Sequence, residues 1–446
     1  MYNKGLNIYL EKNYPSVKKF TSKINYFYDH INSITNNISY ILDQNCYSDE
    51  MNFNLNSFKR FESIKSTISV VVMCKNEERC IARCISSIIK TLDTNDELIV
   101  LDTGSNDDTL NILEREFPSV VIIKEKWNND FGSMRNIGID KAKNKWVFFI
   151  DADEILDSNS MRSLKLYLKV IDFMGLENVV INPIIVNKNS HIVQGVRRII
   201  KKSDRIRYYG LIHEEPRLDK NMYGKDVDSI SFDNVILYHD GYTKKVMNEK
   251  NKYIRNTELL KKMMMLEPEY PRWIYFYCRD GKNLISEEDY EKYLNQVISL
   301  CRDDKYYEEY KIRALSNLIE QYLIKGNVDE AEKKLSELKE ICSDLSDVFY
   351  FDTYIQLVKI KYNCHLLLKK AISYRQSRNN IEFGSIHSNY FHIDYLIAKL
   401  FFEVGEYQKS FNILKKLEMN EFRDYKEDYK QLYHSLNKYF DNVNFK

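Results

Sequence analysis

The stretch Trp146-Val147-Phe148-Phe149-Ile150-Asp151-Ala152-Asp153-Glu154 decides how the rest of the chain is read. Its apolar residues run without alternation into Asp-x-Asp, the pattern of a strand buried on both faces that delivers carboxylates to a sheet edge. Carboxylates at i and i+2 of an extended chain point the same way, so Asp151 and Asp153 are expected to face one hard cation, Mg²⁺ or Mn²⁺. Such an ion usually also holds a phosphate, which implies a diphosphate ligand. Two solvated aspartates on a surface turn would leave the same triplet, so the flanking sequence has to discriminate.

Upstream, Ile68 to Met73 is a β-branched run, followed by the loop Cys74-Lys75-Asn76-Glu77-Glu78 and a helical stretch with Ile81, Cys84, Ile85, Ile88 and Ile89 on one face. Glu97 to Asp102 reads as a second strand, then Thr103-Gly104-Ser105-Asn106-Asp107-Asp108, then a helix carrying Leu110, Ile112, Leu113 and Phe117. Val120 to Ile123 is a third strand, and a helix from about Ser133 to Ala142 leads into the opening stretch. Strands alternating with helices predict a parallel α/β sheet, which binds ligands outside the carboxyl ends of its strands. The candidate positions are therefore Asn76 to Arg79, with Asn76 and Glu77 foremost, Asp102 to Asp107, Asp130 to Asn136, and Asp151 to Asp153. Gly104 lets the second loop approach a ligand closely, although Asn106 or Asp107 could equally serve as a helix N-cap. Arg135 is expected in the first turn of its helix, where the macrodipole disfavours a cation and a phosphate or carboxylate partner would compensate it.

At these loops the chain resembles the family 2 glycosyltransferases of GT-A fold. The resemblance lies in Ser69 to Glu77, Val100 to Thr109, Met134-Arg135-Asn136-Ile137-Gly138 and Phe149 to Glu154, four motifs in order. It implies a sugar-nucleotide donor, with Asp102 at the nucleoside, Asp151 and Asp153 at the divalent metal and diphosphate, and Arg135 beside the donor. Thr103 is a departure, since many relatives carry a second aspartate there. Further motifs are Lys126-Trp127-Asn128-Asn129-Asp130-Phe131, His213-Glu214-Glu215-Pro216, Tyr238-His239-Asp240-Gly241-Tyr242 and Pro271-Arg272-Trp273. These are similar to the sublancin-type peptide S-glycosyltransferases of glycocin biosynthesis, which attach sugars to Cys or Ser/Thr side chains of a small ribosomal peptide. Trp127, Asp130 and Tyr242 join the substrate-binding candidates on that ground.

Val179 to Val186 and Asn234 to Tyr238 read as strands, which puts His213 and His239 at strand ends or in loops. His239 is a candidate third metal ligand, because neutral imidazole suits Mn²⁺. Glu214 and Glu215, beside His213, offer a general base for the acceptor, and the residue types do not choose between them.

The 446 residues allow two or three domains, and Lys+Arg 66 against Asp+Glu 65 leaves no global field to recruit nucleic acid or an anionic membrane. Eight scattered cysteines without Cys-x-x-Cys point to reduced thiols and a cytoplasmic setting. No apolar run approaches the roughly 20 residues that span a bilayer. Residues 1–65 read as a helical N-terminal extension, 66–247 as the GT-A domain, and 248–446 as helical. In the last, Gly326 and Gly405 each precede a small residue, Ala331 and Ser410, by five positions, as in tetratricopeptide-like helical pairs. Such pairs could bind a peptide acceptor, make a homodimer, or only brace the catalytic domain. The function expected is inverting, metal-dependent transfer of glucose or N-acetylglucosamine from a UDP-sugar to a bacteriocin peptide. Two alternatives stand beside it: a glycosyltransferase acting on a lipid-linked saccharide or envelope glycan, and a non-catalytic helical-repeat binding protein.

Overall fold

The computed structural model describes residues 63–174, 177–188, 191–203, 205–218, 223–225, 227–239, 252–302, 304–378, 386–419 and 427–443. Nearly all of the expected N-terminal extension lies outside these residues, as does Tyr242. Contacts divide the chain into two units, one ending at Tyr310 and one beginning at Lys311, whereas the sequence places a boundary at 247/248, inside a stretch outside the described residues.

The first unit is built on a mixed sheet. Strands β1 (Ile68–Cys74), β2 (Glu97–Asp102), β3 (Val121–Lys124) and β4 (Trp146–Asp151) pair in the order β3-β2-β1-β4, all parallel. Their register sets Cys74 beside Asp102 and Met73 beside Asp151, so the ends of β1, β2 and β4 share one edge. Side chains alternate between two cores. Val70, Val72, Val100, Phe148 and Ile150 enter one, and Val71, Ile99, Val147 and Phe149 the other. That double burial explains the unbroken apolar runs.

Helix α1 (Ile81–Ile89) covers the first core with Ile81, Cys84, Ile85 and Ile88. Helix α2 is Thr109–Glu116; helix α3, Phe131–Lys141, covers the second core through Ile139. Asp130 caps α3, accepting from Ser133 N at 2.9 Å, so the helix starts two residues before the expected position and Arg135 lies in its second turn.

Beyond β4 the sheet becomes mixed, and of its strands two were expected from the sequence, Val179 to Val186 and Asn234 to Tyr238. After β5 (Glu154–Leu156) and helix α4 (Ser160–Met174) come β6 (Val179–Asn187), β7 (Ile192–Val193), β8 (Ile199–Lys201) and β11 (Asp228–His239). Strand β8 is antiparallel to both β4 and β6, β11 parallel to β6 and antiparallel to β5. The β11–β5 register brings His239 opposite Glu154. Strands β9 (Arg207–Tyr209) and β10 (Glu215–Arg217) form a separate ribbon. Helices α5 (Lys252–Leu266), α6 (Pro271–Gly281) and α7 (Glu287–Cys301) complete this unit, with Tyr277 and Tyr293 edge to face across α6 and α7 at 5.4 Å.

The second unit is helical: most of α8 (Glu308–Ile324), then α9 (Val328–Ile341), α10 (Ser346–Gln376), α11 (Phe391–Glu403), α12 (Tyr407–Met419) and α13 (Glu427–Val443). The two glycines noted in the sequence end α8 and α11 in the same way. Gly326, at φ 73°, and Gly405, at φ 83°, each donate three residues back, and the next residue donates five back: Asn327 to Tyr322 O and Glu406 to Phe401 O, both at 2.8 Å. This is a glycine-terminated helix end with two carbonyls satisfied, and it sets both helix pairs up alike. Ala331 and Ser410 are fully buried five residues on.

Candidate active site

Four loops meet at the carboxyl ends of the parallel strands. The first two are joined by hydrogen bonds. Asn76, at φ 54°, donates its N–H to Ser105 Oγ at 2.9 Å and accepts from Asn106 N at 2.8 Å. Glu77 N donates to Thr109 Oγ1 at 2.8 Å, and Glu78 N to Asp107 Oδ2 at 3.1 Å. Asp107 also accepts from Thr109 N at 3.1 Å, and although burial opposes charge, these hydrogen bonds hold its carboxyl below the usual range. The residue at the start of α2 is Asp108, whose side chain makes no capping bond. Asp102 is buried and accepts from the N–H groups of Gly104 and Ser105, both at 3.1 Å, which shapes the Gly104 turn at φ 99°. Trp127 packs edge to face on Phe131 at 4.6 Å, with its N–H on Asn129 Oδ1 at 3.0 Å.

At the end of β4 the two aspartates part company. The strand stops at Asp151 and residues 152–153 turn, so the i, i+2 alignment expected of extended chain does not carry through. Asp151 is held by both terminal nitrogens of Arg198, with Nη1 to Oδ1 at 2.7 Å, and lies 3.5 Å from Arg135 Nη2. Burial raises its proton affinity, but the Arg198 guanidinium more than reverses this and keeps the carboxyl well below its usual range. Asp153 instead faces His239, Oδ2 to Nε2 at 3.4 Å. His239 Nδ1 lies 2.8 Å from Asn187 Oδ1, a carbonyl that can only accept, so Nδ1 carries a proton. With burial opposing it, Asp153 nonetheless raises the imidazole's proton affinity.

The expected triad of metal ligands is thus divided. Among the described residues no cluster of three His, Cys, Asp or Glu could hold a metal. Asp153 and His239 fit an ion as a carboxylate and an imidazole, with Nδ1 oriented from behind as ligating histidines usually are. Asp151 stands on guanidinium.

The His-Glu-Glu loop separates its residues as sharply. Glu214 receives Arg135 Nε at 2.5 Å, and Arg135 thereby joins it to Asp151. Burial favours the neutral acid, yet Arg135 holds the Glu214 carboxyl below the ordinary glutamate range. Glu215 points elsewhere. It is buried in the β9–β10 ribbon, where Tyr270 OH donates to it at 2.9 Å and Arg217 Nε at 2.9 Å, while Arg217 also pairs with Glu267 at 2.7 and 3.0 Å. His213 turns toward α6, its Nε2 2.8 Å from Asp280 Oδ2, and burial lowers its proton affinity.

Arg198 is the residue that motif reading missed. It precedes a strand of three residues, β8, in a region with no hydrophobic periodicity to mark an edge, and Arg197-Arg198 reads as an ordinary basic pair. Among the described residues Arg135 Nη1 and Arg198 Nε are buried with no acceptor, so the site carries unsatisfied N–H groups beside Asp151. Glu154, accepting from Asp151 N at 2.8 Å, is pushed up to about 7 by burial.

The mixed sheet with its acidic carboxyl edge has the fold of a GT-A glycosyltransferase. The Glycosyl transferase family 2 profile matches residues 69–172, from β1 into α4, and the chain belongs to that family. Within it the chain is similar to the SPbeta prophage-derived glycosyltransferase SunS of Bacillus subtilis (strain 168), 32% identical over 298 residues, 66% of this chain and 68% of SunS. A shorter match, 32% over 100 residues, covers 21% of this chain and 16% of the poly(ribitol-phosphate) beta-glucosyltransferase of Bacillus spizizenii. The crystal structure of S. aureus TarS 1-349 in complex with UDP-GlcNAc overlays at TM-score 0.37 and 15% identity, over 61% of this chain and 91% of that 1-349 fragment. No helix among the described residues is long and apolar enough to cross a membrane.

Proposed function

We propose that this glycosyltransferase moves glucose or N-acetylglucosamine from a UDP-sugar, with inversion, to a Cys or Ser/Thr side chain of a small ribosomally made bacteriocin peptide in the cytoplasm. The observation that carries it is Arg135, which spans from Asp151 at the donor edge to Glu214 in the His-Glu-Glu loop. Leaving group and base are thereby set on either side of one guanidinium.

In this reading the loops of Asn76, Glu77, Asp102, Gly104 and Asp107 frame the nucleoside, and Trp127 flanks it. The unsatisfied N–H groups of Arg135 and Arg198 take diphosphate oxygens. Asp153 and His239 hold Mg²⁺ or Mn²⁺, which when bound neutralises charge on the departing diphosphate. Glu214 removes the acceptor proton as sulfur or oxygen attacks the anomeric carbon opposite the diphosphate, which inverts that centre. A thiol, with a pKa of about 8.5, needs this help less than a hydroxyl does. Glu215 is left to the β9–β10 ribbon. The helical pairs of the second unit are read as tetratricopeptide-like, offering either an acceptor surface or a dimer contact.

The similarity to SunS supports a peptide acceptor. The match to the poly(ribitol-phosphate) enzyme favours a second reading, an envelope polymer as acceptor. Intact-mass spectrometry of a candidate peptide, incubated with UDP-glucose or UDP-GlcNAc and Mn²⁺, tests the choice. A gain of one hexose or N-acetylhexosamine on the peptide is expected. An unmodified peptide together with sugar transfer to a polyol-phosphate polymer would overturn the peptide reading.

A further inference from the structure

Helix α6 turns three residues, each one helical turn apart, onto the residue that precedes Glu214. Arg272 donates from Nε and Nη2 to the His213 carbonyl at 3.2 and 2.7 Å. Phe276 stacks on the imidazole with ring centroids 4.2 Å apart. Asp280 Oδ2 lies 2.8 Å from His213 Nε2 and must be the acceptor, since a carboxylate has no proton to give. His213 itself sits at φ 50°, a left-handed conformation unusual for a residue with a side chain. That dihedral sets the direction in which the chain leaves toward Glu214.

The clamp is anchored on its own side. Arg272 donates from Nη1 to the Tyr310 hydroxyl oxygen at 2.5 Å and lies over the Phe276 ring at 4.8 Å. Asp280 also accepts from Asn256 Nδ2 at 3.1 Å and from Arg279 Nε at 2.8 Å. On the other side the loop is tied to the helix that carries Arg135: Phe131 N donates to Leu211 O at 3.1 Å and Gly132 N to Gly210 O at 3.2 Å. The approach is close enough that a Cβ on Gly132 would meet Gly210 O at 2.9 Å, and one on Gly210 would meet Trp273 at 2.8 Å. The loop is thus gripped between α3 and α6, with the left-handed residue at the α6 grip.

We propose that Arg272, Phe276 and Asp280 are positioning residues: they hold His213 left-handed and thereby aim the Glu214 carboxylate at Arg135 and the acceptor. This rests on the reading of Glu214 as the base. None of the three need touch donor or acceptor. The groups that face Glu214 are Arg135 from α3, Asp151 beyond it at the end of β4, Arg198 before β8 and Tyr208 on β9. Slippage of the loop would separate the carboxylate from those arginines and let its proton affinity return toward that of an ordinary glutamate.

The test uses the full chain with UDP-glucose or UDP-GlcNAc, following donor hydrolysis across pH and measuring UDP affinity separately. For Asp280→Ala and Arg272→Gln we expect kcat to fall about 10-fold or more, UDP affinity to stay within about 2-fold, and the acid limb of the pH profile to move upward. Asp280→Asn, which keeps a carbonyl for His213 Nε2, should recover most of the rate. As a second pair, His213→Asn should retain more activity than His213→Val, because asparagine tolerates positive φ and a β-branched residue does not. Unchanged kcat and acid limb in Asp280→Ala and Arg272→Gln, while Glu214→Gln is inactive, would overturn the clamp alone. UDP affinity falling in step with kcat would overturn it too, showing a general structural role. Full activity in Glu214→Gln would remove the base reading beneath it.

Discussion

Replacing Glu215 by Gln takes one charge out of a closed pocket, and its cost can be worked from the contacts. Glu215 is 2% exposed and accepts from Tyr270 OH at 2.9 Å and Arg217 Nε at 2.9 Å, with Arg272 Nη1 at 3.6 Å. Hydrogen bonds to charged groups contribute about 1.5–3 kcal/mol each, and breaking a buried pair costs about 3–5 kcal/mol. Gln keeps one carbonyl for Tyr270, and Arg217 keeps Glu267, so about 3 kcal/mol is expected. For a unit of this size that corresponds to a fall in melting temperature of about 6 °C, at about 2 °C per kcal/mol. Glu214→Gln, by contrast, should lower kcat by about 10²–10⁴-fold, the usual worth of a positioned base. Differential scanning fluorimetry and donor-hydrolysis rates on both variants decide the matter. An unshifted melting point with lost turnover in Glu215→Gln, and the reverse in Glu214→Gln, would falsify the assignment of roles.

Three further outcomes are expected. His239→Ala should raise the Mn²⁺ concentration needed for half-maximal rate by about 10-fold or more, in line with the loss of one imidazole ligand; an unchanged titration removes His239 from the ligand pair. Arg198→Met should leave Asp151 without its bidentate partner. Because Asp151 is held below its unfolded value in the native chain, the stability Arg198 contributes is present at neutral pH and shrinks as pH falls toward the native aspartate's lowered value. Thermal melts of wild type and variant that stay equally far apart from pH 7 to pH 3 would contradict this. Gly132→Ala should lower activity through the loop, since its Cβ would meet backbone oxygen of Gly210 at 2.9 Å, which cannot swing away; a variant with wild-type kcat and melting point would show that the contact relaxes freely.

The parallel half of the sheet was legible because burial on both faces writes itself as unbroken apolar runs. Strands β1, β2 and β4 were found within a residue or two of their observed ends. In the antiparallel half β6 and the end of β11 were legible, as Val179 to Val186 and Asn234 to Tyr238, but β8, β9 and β10 were not: they have three residues each, too few to show any period. Asp130 illustrates a different limit. A carboxylate before a helix suits a ligand and an N-cap equally, and here it caps α3. The pair Glu214-Glu215 could not be divided from residue types alone, because what divides them is Tyr270 and Arg217 on one side and Arg135 on the other, groups brought together only by folding. Asp151 and Asp153 were placed at the right edge, but the turn after β4 sends them to different partners.

That division gives the site its electrostatic logic. From β5 to the His-Glu-Glu loop, acidic groups and guanidiniums alternate: Glu154, Arg198, Asp151, Arg135, Glu214. Each guanidinium stands between two carboxylates, so its hold on one depends on what the other side presents. A diphosphate settling on the unsatisfied N–H groups of Arg135 and Arg198 brings negative charge to the same guanidinium that keeps Glu214 ionised. Like charge nearby raises a carboxylate's proton affinity. Under the proposed roles, Glu214 becomes a stronger base when the donor is bound than when it is absent, and the acid limb of kcat, which reports the donor complex, should lie at higher pH than that of kcat/KM for the free enzyme. Coincident limbs would mean that Arg135 does not share its charge between the two sides, and the bridge would be a structural tie only.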